Sequence, residues 1–95
     1  MTEKGITYIL KCVDGSYYVG STTNLEQRLK EHNNGHGCRF TKLHRPLTLV
    51  YTEEFETYPE AFRRERQLHG WSVAKKEALI KGDIDVLKAL SKSKG

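Results

Sequence analysis

Two side chains with phosphate-binding and acid–base chemistry share one face of a predicted helix. In the stretch NLEQRLKEH, Leu25, Arg28, Leu29 and His32 recur at the spacing of a core-facing stripe. Arg28 and His32 are one turn apart, so a guanidinium and an imidazole project together from the edge of that stripe. Taken alone, such a pair is more often an arginine whose stem lies along the surface, beside a solvent-facing histidine.

A carboxylate has a similar position on a second predicted helix. Glu65 lies in the middle of an inward stripe that consists of Tyr58, Ala61, Phe62, Leu68 and His69. A carboxylate on an inward face is costly unless it is paired with a cation or bound to a metal. Two interpretations follow: Glu65 forms a buried salt bridge with Arg28, or the acid, the arginine and the histidine form a functional site.

The stretch GSYYVG places two tyrosines side by side on a predicted strand, where neighbouring side chains point to opposite faces. A two-residue Asp-Gly turn before it would put Tyr8 and Tyr18 on opposite faces of a hairpin. A three-residue loop over residues 13–15, with a left-handed glycine, would put both on one face, with Tyr8 opposite Gly20. Our hypothesis is the second register, which makes Tyr17 the packing ring. It leaves bare backbone at Gly20, with room for a bound group to approach.

Seven predicted elements must position these side chains. Their order, β-β-α-β-α-α-α, predicts an α+β fold in which a small antiparallel sheet packs with helices, in one domain over residues 1–90. The strands are predicted at 6–13, 17–19 and 48–55, and the helices at about 24–34, 58–68, 73–81 and 84–90. A basic loop without clear periodicity covers residues 35–46, and a frayed tail covers residues 91–95.

Capping residues delimit the predicted helices. Thr57 and Glu60 match the Ser/Thr-x-x-Glu capping box, in which each side chain bonds to the backbone of the other residue. Ser72 and Asp83 are suitable N-caps for the two later helices. Glycines at positions 70 and 82 are expected to end the helices that precede them.

These residues, in this order, resemble the GIY-YIG nuclease domain. Its first motif corresponds to Ile6–Tyr8 in ITYIL, and its second to Tyr18–Gly20. NLEQRLKEH supplies the arginine and histidine of the family at Arg28 and His32, and AFRRERQLHGW supplies its glutamate at Glu65. The likeness covers most of the chain and is greatest with the small stand-alone members that carry GW and then KKEALI after the glutamate.

The resemblance implies a three-stranded antiparallel sheet flanked by helices, and hydrolysis of a DNA phosphodiester with one divalent metal, usually Mg²⁺. Glu65 would hold the metal, Arg28 would bind the phosphate, and His32 would donate to the phosphate or act as an acid. Tyr8 would be the general base, and Tyr18 would position water or phosphate. A phenol has a pKa of about 10, so either a nearby cation lowers the Tyr8 value or the metal activates the water.

The composition suits an anionic partner, although charge alone leaves nucleic-acid binding open. Sixteen Lys and Arg against twelve Asp and Glu give a net charge of +4 and a pI of about 9.1. The residues expected to lie along bound DNA are Gly20, Arg39, Lys42, Arg45, Arg63, Arg64 and Arg66. Taken singly, each of these cations is ordinarily a solvated surface charge.

Several other classes of protein are disfavoured. Cys12 and Cys38 match neither a disulfide framework nor a zinc pattern, so we expect free thiols, with Cys12 buried. The apolar runs are too short to span a membrane. The first residues lack the apolar segment of a secretory signal, so we expect a cytoplasmic protein.

Three functions are compatible with these patterns. The first is a metal-dependent endonuclease that acts in DNA repair or recombination. The second is a DNA-binding module on the same scaffold that does not cut; it is favoured by the absence of two basic residues common in the family, at positions occupied here by His69 and Val73. The third is an interaction domain in which Glu65 and Arg28 form only a buried pair.

Overall fold

A computed structural model of the protein describes residues 3–92. In chain order its elements are β1 (Gly5–Lys11), β2 (Tyr17–Thr22), α1 (Leu25–Asn33), α2 (Arg39–Leu43), β3 (Thr48–Phe55), α3 (Tyr58–His69), α4 (Val73–Lys81) and α5 (Ile84–Lys92). All seven predicted elements are present, and α2 is additional.

The strands form one antiparallel sheet in the order β2-β1-β3, which confirms the predicted three-stranded α+β fold. One face of β1 carries Tyr8 and Leu10, against which α1 packs Leu29. The other face packs on α3, where the Ala61 carbonyl accepts a hydrogen bond of 2.8 Å from the Thr7 hydroxyl. The sheet therefore separates α1 from α3, and both of its faces are covered by helices.

The β1–β2 hairpin has the three-residue loop that places both site tyrosines on one face. The backbone N–H of Cys12 donates to the Ser16 carbonyl at 2.8 Å, and Tyr8 lies opposite Gly20. Gly15 has a φ of +88°, a conformation that a residue with a Cβ rarely adopts. The predicted register is thus confirmed, and the two-residue turn is excluded.

The helix α2 lies inside the predicted basic loop, so the prediction of an irregular segment was wrong for residues 39–43. The hydroxyl of Thr41 accepts from the Cys38 backbone N–H at 3.2 Å and contacts His32 at 2.8 Å. One and a half turns are too few to show a period in the sequence, and the stabilising contact comes from another helix. Cys38 and the buried Cys12 are both free thiols, as predicted.

The later helices begin near their predicted caps, with one difference in detail. Ser72 and Asp83 each accept a backbone N–H bond at 3.2 Å, as expected of N-caps. The capping box predicted for Thr57 and Glu60 does not form, because the Thr57 hydroxyl donates to the Glu60 carboxylate at 2.9 Å instead of bonding to the backbone.

The C-terminal helix α5 extends through Lys92, so Ser91 and Lys92 are helical at the position where a tail was predicted to begin. The rest of that predicted tail, residues 93–95, lies outside the described residues. None of the helices within residues 3–92 combines the length and the apolar character needed to cross a bilayer.

Candidate active site

A buried chain of hydrogen bonds connects β1, α1 and α2. The Tyr8 hydroxyl lies 2.9 Å from Nε2 of His32, and Nδ1 of His32 lies 2.8 Å from Oγ1 of Thr41. All three side chains have an exposure of 0%. His32 lies one turn from Arg28 on α1, as the spacing predicted, and its imidazole contacts the central strand β1. It is therefore a buried polar group and not the solvent-facing histidine of the alternative interpretation.

The hydrogen bonds assign the protons along this chain. The single proton of the Thr41 hydroxyl is used in a 3.1 Å bond to the Cys38 carbonyl. The Thr41 oxygen therefore accepts from Nδ1–H of His32, and Nε2 of His32 accepts from the Tyr8 hydroxyl. Burial, followed by the positive charge of Arg28, lowers the pKa of His32 from 6.5 to about 4. The imidazole is consequently neutral at pH 7, as this assignment requires.

Complete burial changes the chemistry expected of Tyr8. Desolvation raises its pKa above 10, and the hydrogen bond and charge of Arg28, which act in the opposite direction, do not compensate. The negative charge of Glu65 raises the Tyr8 pKa further. Two routes to water activation were expected, and the first was a cation that lowers the Tyr8 pKa below its ordinary value. Within residues 3–92 the positive charge of Arg28 does not achieve this.

Gly20 does not provide the open space that was predicted. It is buried, and a Cβ built on it would lie 2.5 Å from the Tyr8 hydroxyl oxygen and 3.1 Å from Cε2 of Tyr18. The end of the Tyr8 ring fills the space above the bare backbone. The assignment of Gly20 as a DNA contact is corrected accordingly: its small size allows the phenol to pack directly on β2.

Tyr18 completes the aromatic part of the site. Its ring lies 5.2 Å from the His32 ring in an edge contact and 6.5 Å from the Tyr8 ring, measured between centroids. Burial raises the pKa of Tyr18, and its hydrogen bond with Cys38 raises it further. Tyr18 is only half-buried, so part of its ring remains accessible beside the buried Tyr8.

Arg28 brings a positive charge to the edge of this cluster. Its side chain is 28% exposed and forms an ion pair with Glu31 at 3.0 Å, and its interaction with Tyr8 acts to lower the pKa of that phenol. Glu65 pairs instead with His69, at 3.2 Å. Within residues 3–92 the predicted alternative, a Glu65–Arg28 salt bridge, does not form. This removes the specific basis of the third function considered for the chain.

Glu65 is held in place from two sides. The Ser21 hydroxyl donates to Oε1 of Glu65 at 2.5 Å, and Nε2 of His69 lies 3.2 Å from Oε2. The Glu65 side chain is 20% exposed, so the acid is neither sealed in the core nor turned out to water. A carboxylate fixed by hydrogen bonds and still reached by solvent can exchange those bonds for a ligand.

The site has two parts, which lie on opposite faces of the sheet. Ser21 is opposite Thr7 in the register, and Thr7 contacts α3, so Glu65 meets the α3 face of β2. The residues on the α1 face are Tyr8, Tyr18, Arg28 and His32. Both parts adjoin β2, an edge strand, and the charge of Glu65 still acts on Tyr8. The two parts therefore flank the same edge of the sheet, with Glu65 on one face and the tyrosines on the other.

The oxygen donors near Glu65 suit one magnesium-like cation. Glu65 supplies a carboxylate and Ser21 a hydroxyl, while the described residues contain no cluster of three His, Cys, Asp or Glu side chains able to hold a metal. Magnesium is commonly bound through one or two carboxylates, with waters and a substrate phosphate as its other ligands. The donor set therefore fits such an ion with Glu65 as the protein ligand, and it does not fit a zinc site.

Four of the basic residues predicted to contact DNA are exposed. They are Arg39 and Lys42 on α2 and Arg63 and Arg66 on α3. Arg66 also lies over the Phe62 ring, 5.9 Å from its centroid. Their location on the two helices that border the β2 edge is compatible with a path for a phosphate backbone, which stays a prediction.

The other two basic residues have structural partners. Arg64 donates to Glu53 at 2.9 Å and 3.1 Å and lies 5.1 Å from the Trp71 ring centroid. Its guanidinium thus forms an ion pair that ties α3 to β3, and this geometry gives no support to the predicted contact of Arg64 with DNA. Arg45 donates at 3.2 Å to two backbone carbonyls, one at the end of α1 and one in α2, while remaining exposed.

Sequence reasoning assigned no role to three residues that the structure places in the site. His69 lies four residues after Glu65 on one helix, and this spacing is a signal that could have identified it. Ser21 follows from strand alternation, because it lies opposite Thr7 in the register. Thr41 has no such signal, since its contact with His32 depends on a helix that the sequence did not predict.

Comparisons with known proteins find matches over most of the chain. Residues 4–78 match the model of the GIY-YIG catalytic domain. The UPF0213 protein of Staphylococcus saprophyticus is 46% identical over 82% of this chain and 95% of its own length, and that of Halobacterium salinarum is 46% identical over 77% and 95%. These relatives are thus small stand-alone domains, and their names state no activity.

Two solved structures share the fold. The solution structure of the UPF0213 protein of Bacillus halodurans is 40% identical and has a TM-score of 0.54, over 82% of this chain and 83% of that one. The solution structure of a protein from E. faecalis is 38% identical and has a TM-score of 0.58, over 86% and 90%.

Proposed function

Because this chain belongs to the GIY-YIG catalytic domain family, we propose that it is an endonuclease that hydrolyses a phosphodiester bond of DNA and requires one divalent metal ion, Mg²⁺. The observation that carries the proposal is the arrangement around β2. A proton-carrying chain and a guanidinium lie on one side of this edge strand, and a fixed, partly exposed carboxylate lies on the other. An enzyme with this activity would serve DNA repair or recombination, in the cytoplasm.

The chain of hydrogen bonds supports Tyr8 as the acceptor of a proton from the attacking water. The hydroxyl proton of Tyr8 is already directed at Nε2 of His32, so the phenol oxygen can take a proton while it releases its own. A transfer of this kind forms no free phenolate: the proton of the water ends on the Tyr8 oxygen and the former Tyr8 proton on Nε2 of His32, so the basicity of His32 replaces that of Tyr8 in setting the cost. His32 must be neutral for this step, which its lowered pKa ensures at pH 7.

The remaining residues have roles that follow from their chemistry. Arg28 offers a planar fork of donors to the phosphate oxygens, for which it would exchange its partly exposed contact with Glu31. Tyr18, the accessible tyrosine, positions the water or the phosphate. Glu65 would hold the Mg²⁺, which supplies positive charge at the scissile phosphate and favours ionisation of a water.

A nicking assay on supercoiled plasmid tests the proposal. With Mg²⁺ the protein should convert supercoiled to relaxed DNA, and with EDTA it should not. Glu65→Ala should abolish this activity and leave the fold intact, because the side chain is 20% exposed and contacts only side chains at the edge of the core. Glu54→Ala removes an exposed carboxylate from β3 and is the matched control, which should nick normally. Normal nicking by Glu65→Ala would refute the assignment.

Two observations favour the second candidate, a DNA-binding module that does not cut. The Tyr8 side chain has no solvent exposure, and both oxygens of Glu65 already have partners. A module of this kind would bind DNA with an affinity that falls steeply with salt and would show no Mg²⁺-dependent nicking at any enzyme concentration. Gel shifts at two salt concentrations, combined with the nicking assay, separate the two functions.

A further inference from the structure

A cleft of about 280 Å³ opens along the outer edge of β2, beside both parts of the site. The residues that line it are Tyr17, Tyr18, Val19, Phe40, His69 and Lys76. In the described part of the chain no strand pairs with this side of β2. The volume is near the lower end of the ~300–1,000 Å³ typical of ligand pockets, which is room for a single planar ring system and not for a folded segment.

One wall of the cleft is a stack of aromatic rings. The rings of Tyr18 and Phe40 are nearly parallel, with 22° between their planes and 6.1 Å between centroids. Phe40 stacks in turn on His44, at 4.1 Å and 15°. Phe40 is 39% exposed and lines the cleft, so part of its ring is accessible to a ligand.

The other walls carry polar side chains and adjoin the proposed catalytic groups. Lys76 projects from α4, and His69, which contacts Glu65, projects from α3. Tyr17 contributes its ring only, because its hydroxyl donates to Glu77 at 3.0 Å. An apolar, ring-lined slot with the Lys76 ammonium group among its lining residues matches a nucleotide, whose base has a flat apolar face and whose phosphate is anionic.

The cleft is continuous with the site on both sides of β2. Tyr18 belongs to the α1-face cluster and His69 to the Glu65 part, and both side chains line the cleft. A strand whose phosphate lies between Arg28 and Glu65 can pass along the cleft, which brings the base of a neighbouring nucleotide to the wall formed by Tyr18 and Phe40. Inside a duplex this base would be paired and stacked, and unable to enter.

We propose that this cleft, walled by Tyr18 and Phe40, binds one unstacked nucleobase next to the phosphate that is cut. The inference rests on the proposed function and extends it to the substrate: the preferred DNA has an unpaired nucleotide at the cleavage position. Stacking on an aromatic ring tolerates any base, so the cleft selects unpaired structure and not sequence.

Binding measured without cutting tests the inference separately from catalysis. The probes are a short single-stranded oligothymidylate and an abasic sugar-phosphate strand of the same length and charge, titrated in EDTA with fluorescence anisotropy. The protein should bind the strand with bases about ten-fold more tightly. Phe40→Ala and Phe40→Leu should both remove this preference, Phe40→Trp should keep it, and thermal melting should show that all three variants are folded.

Leu43→Ala is the matched control, because Leu43 is 68% exposed on the same short helix and does not line the cleft. This variant should keep the ten-fold preference. Equal affinity for the two strands, or a preference that survives in folded Phe40→Ala, would overturn the inference while leaving the proposed nuclease in place. A base preference without Mg²⁺-dependent nicking would support the cleft and refute the nuclease. Absence of binding to either strand would overturn the inference, while the nuclease would still be decided by the nicking assay with Mg²⁺.

Discussion

Acidification should destabilise this protein through His32. The imidazole is completely buried and bonded to Tyr8 and Thr41, and burial lowers its pKa from 6.5 to about 4. The unfolded chain therefore binds a proton more readily than the folded one. The stabilisation is present above pH 6.5 and is lost as the pH falls from 6.5 towards 4.

The magnitude follows from the two pKa values of His32. The difference between 6.5 and about 4 corresponds to about 3 kcal/mol, at about 1.4 kcal/mol per pH unit. For a domain of this size that is a fall in melting temperature on the order of 10–20 °C. Such a loss is a large part of the ~5–15 kcal/mol by which domains are stable.

The assay is urea unfolding at pH 7 and pH 4, with the free energy of unfolding compared between the two conditions. His32→Gln cannot titrate, so it should lose about 3 kcal/mol less than the natural chain over this range, whatever its stability at pH 7. His36→Gln, at an exposed histidine, should lose as much as the natural chain. Equal losses in the natural chain and His32→Gln, or an NMR titration of the folded His32 ring near pH 6.5, would refute the reasoning.

Two further predictions concern packing and charge. Gly20→Ala should destabilise the protein by about 1–3 kcal/mol in urea unfolding, because the new methyl group would lie 2.5 Å from the Tyr8 hydroxyl; a stability unchanged from the natural chain would contradict the tight packing. The affinity for duplex DNA should fall with salt, and Arg39→Ala should make this dependence shallower, reducing the magnitude of the slope of log affinity against log salt by about one. Arg64→Ala should leave this slope unchanged and lower stability, since its guanidinium is bonded to Glu53; the opposite pattern would restore Arg64 as a DNA contact.

The hairpin shows how far local sequence can specify a register. The Asp-Gly pair before the two tyrosines is compatible with a two-residue turn and with a three-residue loop. In the structure Gly15 is left-handed, and Tyr8 then packs on Gly20 and bonds to His32. Local turn chemistry allowed both registers, and the fit of a phenol onto bare backbone selects between them.

Arg64 and His32 also show that spacing along a helix does not predict the tertiary partner of a side chain. Both were polar residues on predicted helices, and the helical period correctly gave the face on which each lies. Period does not reveal what is opposite that face. Arg64 meets a carboxylate on β3, whereas His32 meets a buried phenol and the hydroxyl of Thr41.

The sequence by itself determined the order of elements, the α+β class, the helix ends at Gly70 and Gly82, and the pairing of Arg28 with His32 on one edge of a helix. These features depend on contacts between residues close in the chain, which spacing and capping chemistry report directly. Only the tertiary structure decided that Glu65 lies across the sheet from the tyrosines, held by Ser21, and that a short helix closes over His32. Those contacts join residues distant in sequence, and burial and packing fix them only when the whole chain has folded.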